Sequence, residues 1–291
     1  MSSHRQSQVR KRRVLGEHPF RSTGIGTLAL ATCVTLFAFG GSAQASTPVG
    51  LGGAGTFAVL AGSGITNTGP TTITGNLGTF PNTAITGAGS ITVTGTNHDG
   101  DTVTQLAKTS LVTAYNTAAA EGPTTAIAAD LAGRTLKAGI YHSASSIGLS
   151  GTLTLDGASN PNSLFVFQAG STLITSSGSN VRFINGANPC NVYWQVGSSA
   201  TLGTNSNFGG TILALTSISL KTGATVDGRV LARNGAVTMD RNTIRLGSCA
   251  AVTSVTPTST STQVSATPTS TSAQVSATPS GSIATGDNSF G

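Results

Sequence analysis

The segment GTILALTSISL, beginning at Gly210, realigns with GRVLARNGAVTM, beginning at Gly228, after a shift of 18 residues that lays Leu213 on Leu231 and Ala214 on Ala232. A shift of that length suits one turn of a three-sided coil made of short strands. In a stack of such coils Val, Ile, Leu and Ala point inward, and Gly and Asn take the corners, where φ can be positive. The span from Ser46 to Ser248 has the matching texture. TFAVLAG, TTITG, SITVTG, GTLTLDG, LFVFQAG, NVRFING and NVYWQVG follow one another, each closed by Gly. Short strands at close spacing indicate an all-β domain. A sandwich of antiparallel hairpins is the competing architecture, because periodicity alone does not separate the two. With 38 glycines, 8% charged and 5% aromatic residues, the core must be built from small and β-branched side chains.

One segment departs from the β pattern. DTVTQLAKTSLVTAYNTAAAEGP places Val103, Leu106, Ala107, Leu111, Ala114, Tyr115 and Ala118 at helical spacing, which predicts one amphipathic helix from about 101 to 121 lying alongside the β structure. Thr102 and Gln105 read as a capping box at its start, and Gly122-Pro123 as its stop.

The two ends differ from the middle. Arg5, Arg10, Lys11, Arg12, Arg13 and Arg21 precede an apolar run from Ile25 to Phe39, followed by Ala43-Gln44-Ala45. A basic head, a short apolar stretch and an A-x-A site predict a secretory signal peptide over residues 1–45, the alternative being an uncleaved anchor. Arg12-Arg13 leaves the export route open between the general and the twin-arginine pathways. The signal carries 6 of the 15 basic residues and one of the 9 acidic ones, so the net charge of +6 falls to +1 in the mature chain. Residues 251–291 are a Ser/Thr/Pro tract in which QVSATP recurs; it lacks apolar groups to form a core and reads as an extended, disordered tail, a stalk of the kind that carries O-glycans. The folded domain is therefore expected over 46–250. Cys33 leaves with the signal, and Cys190 and Cys249 remain in an oxidising setting, where a disulfide is the natural reading and two free thiols the alternative.

Chemistry-bearing motifs are scarce. Gly50-Leu-Gly-Gly-Ala-Gly55 matches a dinucleotide-binding pattern but precedes the first strand instead of following one. The mature histidines are His98 and His142, with no zinc-ligand spacing, and G-x-S-x-G is absent. Asp99 and Asp101 lie close together at the expected helix start, which itself favours negative charge. No enzyme, metal or cofactor is expected, and the near-neutral mature charge speaks against a nucleic-acid partner.

Threonine is what recurs, in Thr68-Gly-Pro-Thr71, Thr83-Ala-Ile-Thr86, Thr94-Gly-Thr-Asn97 and Thr222-Gly-Ala-Thr225. On a stacked coil, outward side chains repeat every ~6.6–7 Å along a strand and every ~4.7–4.9 Å across strands, a flat two-dimensional lattice. Threonine offers it a hydroxyl for ordered water, a methyl that excludes disordered water and a stiff χ1. Ice is the uncharged repeating ligand that fits; ordinary β padding is the alternative.

The runs FAVLAGSGITNTGPTTITGNLG from Phe57, AGIYHSASSIGLSGTLTLDG from Ala138, NSLFVFQAGSTLITSSGS from Asn162 and CNVYWQVGSSATLGTNSNFGGTILALTSISLKTGATVDGRVLARNGAVTMD from Cys190 resemble the DUF3494 ice-binding proteins. The resemblance implies an irregular, discontinuous three-sided β-solenoid with one α-helix packed alongside. It also implies adsorption to an ice crystal through a flat face carrying T-A/G-x-T/N motifs, without turnover. Thr68 and Thr83 lie in text shared by the family, so the expected ice face is placed on the late coils, at Thr201, Thr204, Ser219, Thr222, Thr225 and Thr238, with Thr83, Thr86 and Thr94 as secondary candidates. The protein is expected to be a secreted monomer without a membrane span after signal cleavage, with a cell-wall contact through the tail as a further expectation. A structural or adhesive surface module is the alternative function, and a polysaccharide-active solenoid would need a groove of converging carboxylates.

Overall fold

The computed structural model describes residues 49–247; the signal peptide, the Ser/Thr/Pro tail and Cys249 lie outside them. Every recorded strand pairing is parallel, which rules out the antiparallel sandwich. The chain winds through three faces per turn. The 18-residue repeat is the register itself: Gly210 pairs with Gly228, Leu213 with Leu231 and Ala214 with Ala232.

Strands Asn207–Ala214 and Thr225–Ala232 each serve two faces. They bend at Gly210 (φ 108°) and Gly228 (φ 150°), conformations that suit glycine. A Cβ on Gly228 would lie 2.0 Å from the Gly210 carbonyl oxygen, so adjacent coils stack at this bend only because Gly228 has no side chain.

The stacking order is not the chain order. The coil containing Phe57–Ala61 pairs with Thr225–Ala232 through Val59 with Val230, so the N-terminal coils sit beyond the C-terminal ones. From that end the helix α1, Thr102–Ala120, returns the chain to the opposite end, where Thr125–Ala126 starts the remaining coils. Nineteen residues span about 28 Å. Eight strands ~4.8 Å apart span about 34 Å. The helix is thus the right length to run along the stack.

Inside, the core is not only small and β-branched as the composition suggested: Tyr141, Phe167, Trp194 and Phe208 form a column, with Phe167 and Trp194 stacked at 4.0 Å between ring centroids. Aliphatic side chains fill the rest of the core. The α1 helix closes a second apolar layer by placing Ala107, Leu111, Ala114, Tyr115 and Ala118 over Leu60, Val166, Tyr193, Leu213 and Leu231. Polar pins fix it: Gln195 Nε2 donates to Tyr115 Oη at 2.7 Å, and Gln168 Nε2 donates to the carbonyls of Ala118 (2.9 Å) and Glu121 (3.0 Å) at the helix end.

Two details of the helix differ from the expectation. Val103 and Leu106 face solvent (Leu106 63% exposed), while Thr104 and Lys108 are buried. Lysine reads as polar, but its stem packs against the solenoid and its Nζ donates to the carbonyls of Ala232 (2.7 Å) and Arg233 (2.6 Å). The N-cap is Asp101, not Thr102: its carboxylate accepts from Thr104 N at 2.9 Å. Cys190 is disulfide-bonded; Cys249, the partner expected for it, lies outside the described residues.

Candidate functional site

The helix covers one face of the solenoid and leaves two open. The second face is a seven-stranded sheet made of Ile147–Leu149, Leu173–Thr175, Ala200–Leu202, Ile218–Leu220, Val237–Asp240, Ile65–Thr68 and Ile85–Thr86, in that spatial order. Alternation decides its surface. Ile147, Leu173, Ala200, Ile218, Val237 and Ile65 are buried, so the next residue of each strand turns outward.

Those next residues form one row in register: Gly148, Ile174, Thr201, Ser219, Thr238, Thr66 and Thr86. The last five carry hydroxyls over about 19 Å at the strand spacing. None of the five hydroxyls makes a hydrogen bond to protein among the described residues. Other hydroxyls near this sheet are engaged: Ser146 Oγ with Thr172 Oγ1 at 2.8 Å, and Thr175 Oγ1 accepting from Gly203 N at 2.9 Å.

The sequence candidates separate on this map. Thr201, Ser219, Thr238 and Thr86 lie in the row, and Thr66 joins them although no motif singled it out. Thr204 is in a turn where its carbonyl accepts from Gly178 N at 2.9 Å. Thr222 is in a turn and its hydroxyl donates to the Asp240 carboxylate. Thr83 is exposed in the loop before Ile85–Thr86.

Thr225 belongs to the third face. There Thr152, Asn180, Asn207, Thr225, Thr243, Thr72 and Thr92 also stand in register. This face is less uniform. Thr225 Oγ1 donates to Asn207 Oδ1 at 3.0 Å, and Arg182, Asp227 and Arg245 stand exposed two residues further along their strands. Thr94 sits at its rim, with its backbone N donating to the Ile73 carbonyl at 2.9 Å. A groove there is lined by Asn207, Thr225, Val226, Asp227, Thr243, Arg245 and Gly247, with Asp227 as its one carboxylate. The converging pair that glycoside chemistry requires is not gathered in it.

The perturbed carboxylates serve the fold: hydrogen bonds from the Ser150 hydroxyl and nearby backbone amides lower Asp130, and those from the Ala158 amide and Asn185 side chain lower Asp156. Among the described residues no three His, Cys, Asp or Glu side chains gather as a metal site would need, and no helix is long and apolar enough to cross a membrane.

Known proteins agree with this architecture. Residues 59–245 match the family model described as Ice-binding-like. An ice-binding protein of Nostoc sp. (strain HG1) is 49% identical over 213 residues, covering 72% of this chain and 79% of the relative. One from Colwellia sp. is 36% identical over 227 residues, covering 71% and 87%. The crystal structure of an ice-binding protein from an Antarctic biological consortium superposes with a TM-score of 0.67 at 47% identity, covering 69% of this chain and 91% of that one. With the parallel three-sided stack, its return helix and a family match over most of the described residues, the chain belongs to the ice-binding-like family.

Proposed function

We propose that the protein is a secreted ice-binding protein that adsorbs to ice through the second face, with Thr201, Ser219, Thr238, Thr66 and Thr86 as its contact row. The observation that carries this placement is that five neighbouring hydroxyls, in register on a sheet, are all left unbonded by the protein. Hydroxyls held at fixed spacing can order water in a repeating pattern, and the threonine methyls between them exclude disordered water. Docking such a surface onto a crystal plane blocks local growth, with no bond made or broken. The parallel sheet beneath is buried on its inner side and held by the stack, so little order remains to be gained on binding. Residues 1–45 direct export and are removed, and residues 251–291 serve as a tail that can reach a cell wall.

The test is direct. Single ice crystals grown in the purified mature protein should facet and show a gap between freezing and melting temperatures; unshaped growth at high protein concentration rejects ice binding. Thr238→Tyr should remove most of that gap while leaving the melting temperature of the protein unchanged. Full activity in that variant moves the site off this face.

A further inference from the structure

Ile174 is the one large apolar side chain standing exposed on the second face, 52% accessible, and it occupies a rung of the contact row between Gly148 and Thr201. Its surroundings are otherwise polar: Thr172 and Ser176 lie just before and just after its strand, and Thr201 is its neighbour in register. Isoleucine and threonine share a β-branched shape, so Ile174 can sit on the sheet as a threonine would. Two differences remain. A methylene takes the place of the hydroxyl, and Cδ1 stands one further bond, about 1.5 Å, beyond the plane in which the threonine tips end.

Resting on the reading of the second face given above, we propose that Ile174 is a specificity-determining residue that ends the ice-contact row at five rungs. A protrusion of that height keeps a flat crystal plane from meeting both Ile174 and the rungs beside it. Exposure along the row follows the same gradient. Thr201 and Ser219, nearest Ile174, are only partly exposed, whereas Thr238, Thr66 and Thr86 are exposed. Beyond Ile174 the row continues as Gly148, which has no side chain to offer, and then as Asp130, an exposed carboxylate bridged to Gly148. The hydroxyl lattice is therefore confined to the end of the stack where the N-terminal coils lie, and its length is set by one side chain, not by the number of coils.

Ile174→Thr supplies the missing hydroxyl and removes Cδ1; Ile174→Val removes Cδ1 alone and keeps the β-branched shape. Both are compared with the unchanged mature protein by the freezing gap of single crystals at equal molar concentration, with Thr238→Tyr alongside. Ile174→Thr is expected to widen the gap roughly 1.5-fold, the effect of a few tenths of a kcal/mol in adsorption, with Ile174→Val between it and the unchanged protein. A gap in Ile174→Thr equal to or below the original, while Thr238→Tyr loses activity, overturns the role of Ile174 and leaves the face in place. Full activity in Thr238→Tyr with no gain in Ile174→Thr overturns both.

Discussion

Lys108 shows how one residue can mislead a helical pattern and then leave a measurable trace. Burial against the solenoid, with Arg233 adding repulsion, lowers its ammonium from the ordinary 10.5 to about 8. Between those values an unfolded chain keeps a proton that the folded protein has released, so stability must rise with pH across that window. The cost of burying the charge is present in full below pH 8 and disappears as pH climbs toward 10.5. A shift of that size corresponds to on the order of 3 kcal/mol. Urea unfolding midpoints measured from pH 7 to 10.5 should climb, and Lys108→Met, which keeps the stem and drops the charge, should flatten much of that rise. An equal climb in both proteins would place the linkage on another group. The neutral amine still has two hydrogens for the carbonyls of Ala232 and Arg233, so the helix stays pinned at high pH. The same residue explains the misread helical face: a pattern of apolar letters counts Leu106 as inward and Lys108 as outward, whereas the stem of a lysine packs as well as a leucine when its tip reaches carbonyls.

At the scale of elements, the helix and the proposed ice-contact row lie on different faces, which separates stability from activity. Leu111 is fully buried beneath the helix, and Leu111→Ala should cost about 2–5 kcal/mol, depending on how far the cavity collapses. Its urea midpoint should fall accordingly. Near 0 °C, where most of the variant remains folded, the freezing gap at equal concentration should match that of the original protein; a parallel loss would mean that the helix shapes the second face. The elements also show where the sequence was readable. Strand Asn207–Ala214 and strand Thr225–Ala232 are adjacent coils of one length, so their 18-residue shift exposed the register. The hydroxyl row of the second face has no such regularity. Ile174 and Thr201 are 27 residues apart, Thr201 and Ser219 18, Ser219 and Thr238 19, and Thr238 pairs with Thr66 from the far end of the domain. Loops of different length and a stacking order unlike the chain order hide such a row from any spacing rule. Motifs such as Thr222-Gly-Ala-Thr225 were visible because they are local. The corner at Ala224 turns their two threonines in different directions, one toward Asp240 and one onto the third face.

Residues 46–291 carry a net charge of +1, and no charged side chain stands among the five hydroxyls of the proposed contact row. Arg182, Asp227 and Arg245 sit on the third face, Lys108 and Arg229 are buried with their charges on backbone carbonyls, and Lys221, Asp240 and Arg241 stand at the corner next to the second face. A surface that worked by attraction between charges would weaken as salt shortened the screening length from ~30 Å at 0.01 M to ~3 Å at 1 M. Adsorption through hydroxyls and methyls has no such term. After correction for the freezing-point depression of the salt itself, the freezing gap should therefore stay level, or rise slightly, between 0.01 and 0.5 M NaCl. Salts that strengthen apolar burial, such as sulfate, should raise it further by favouring the exclusion of disordered water from the threonine methyls. A steep fall over the same range would transfer the contact to the charged third face, where Asp227 and Arg245 are in register neighbours.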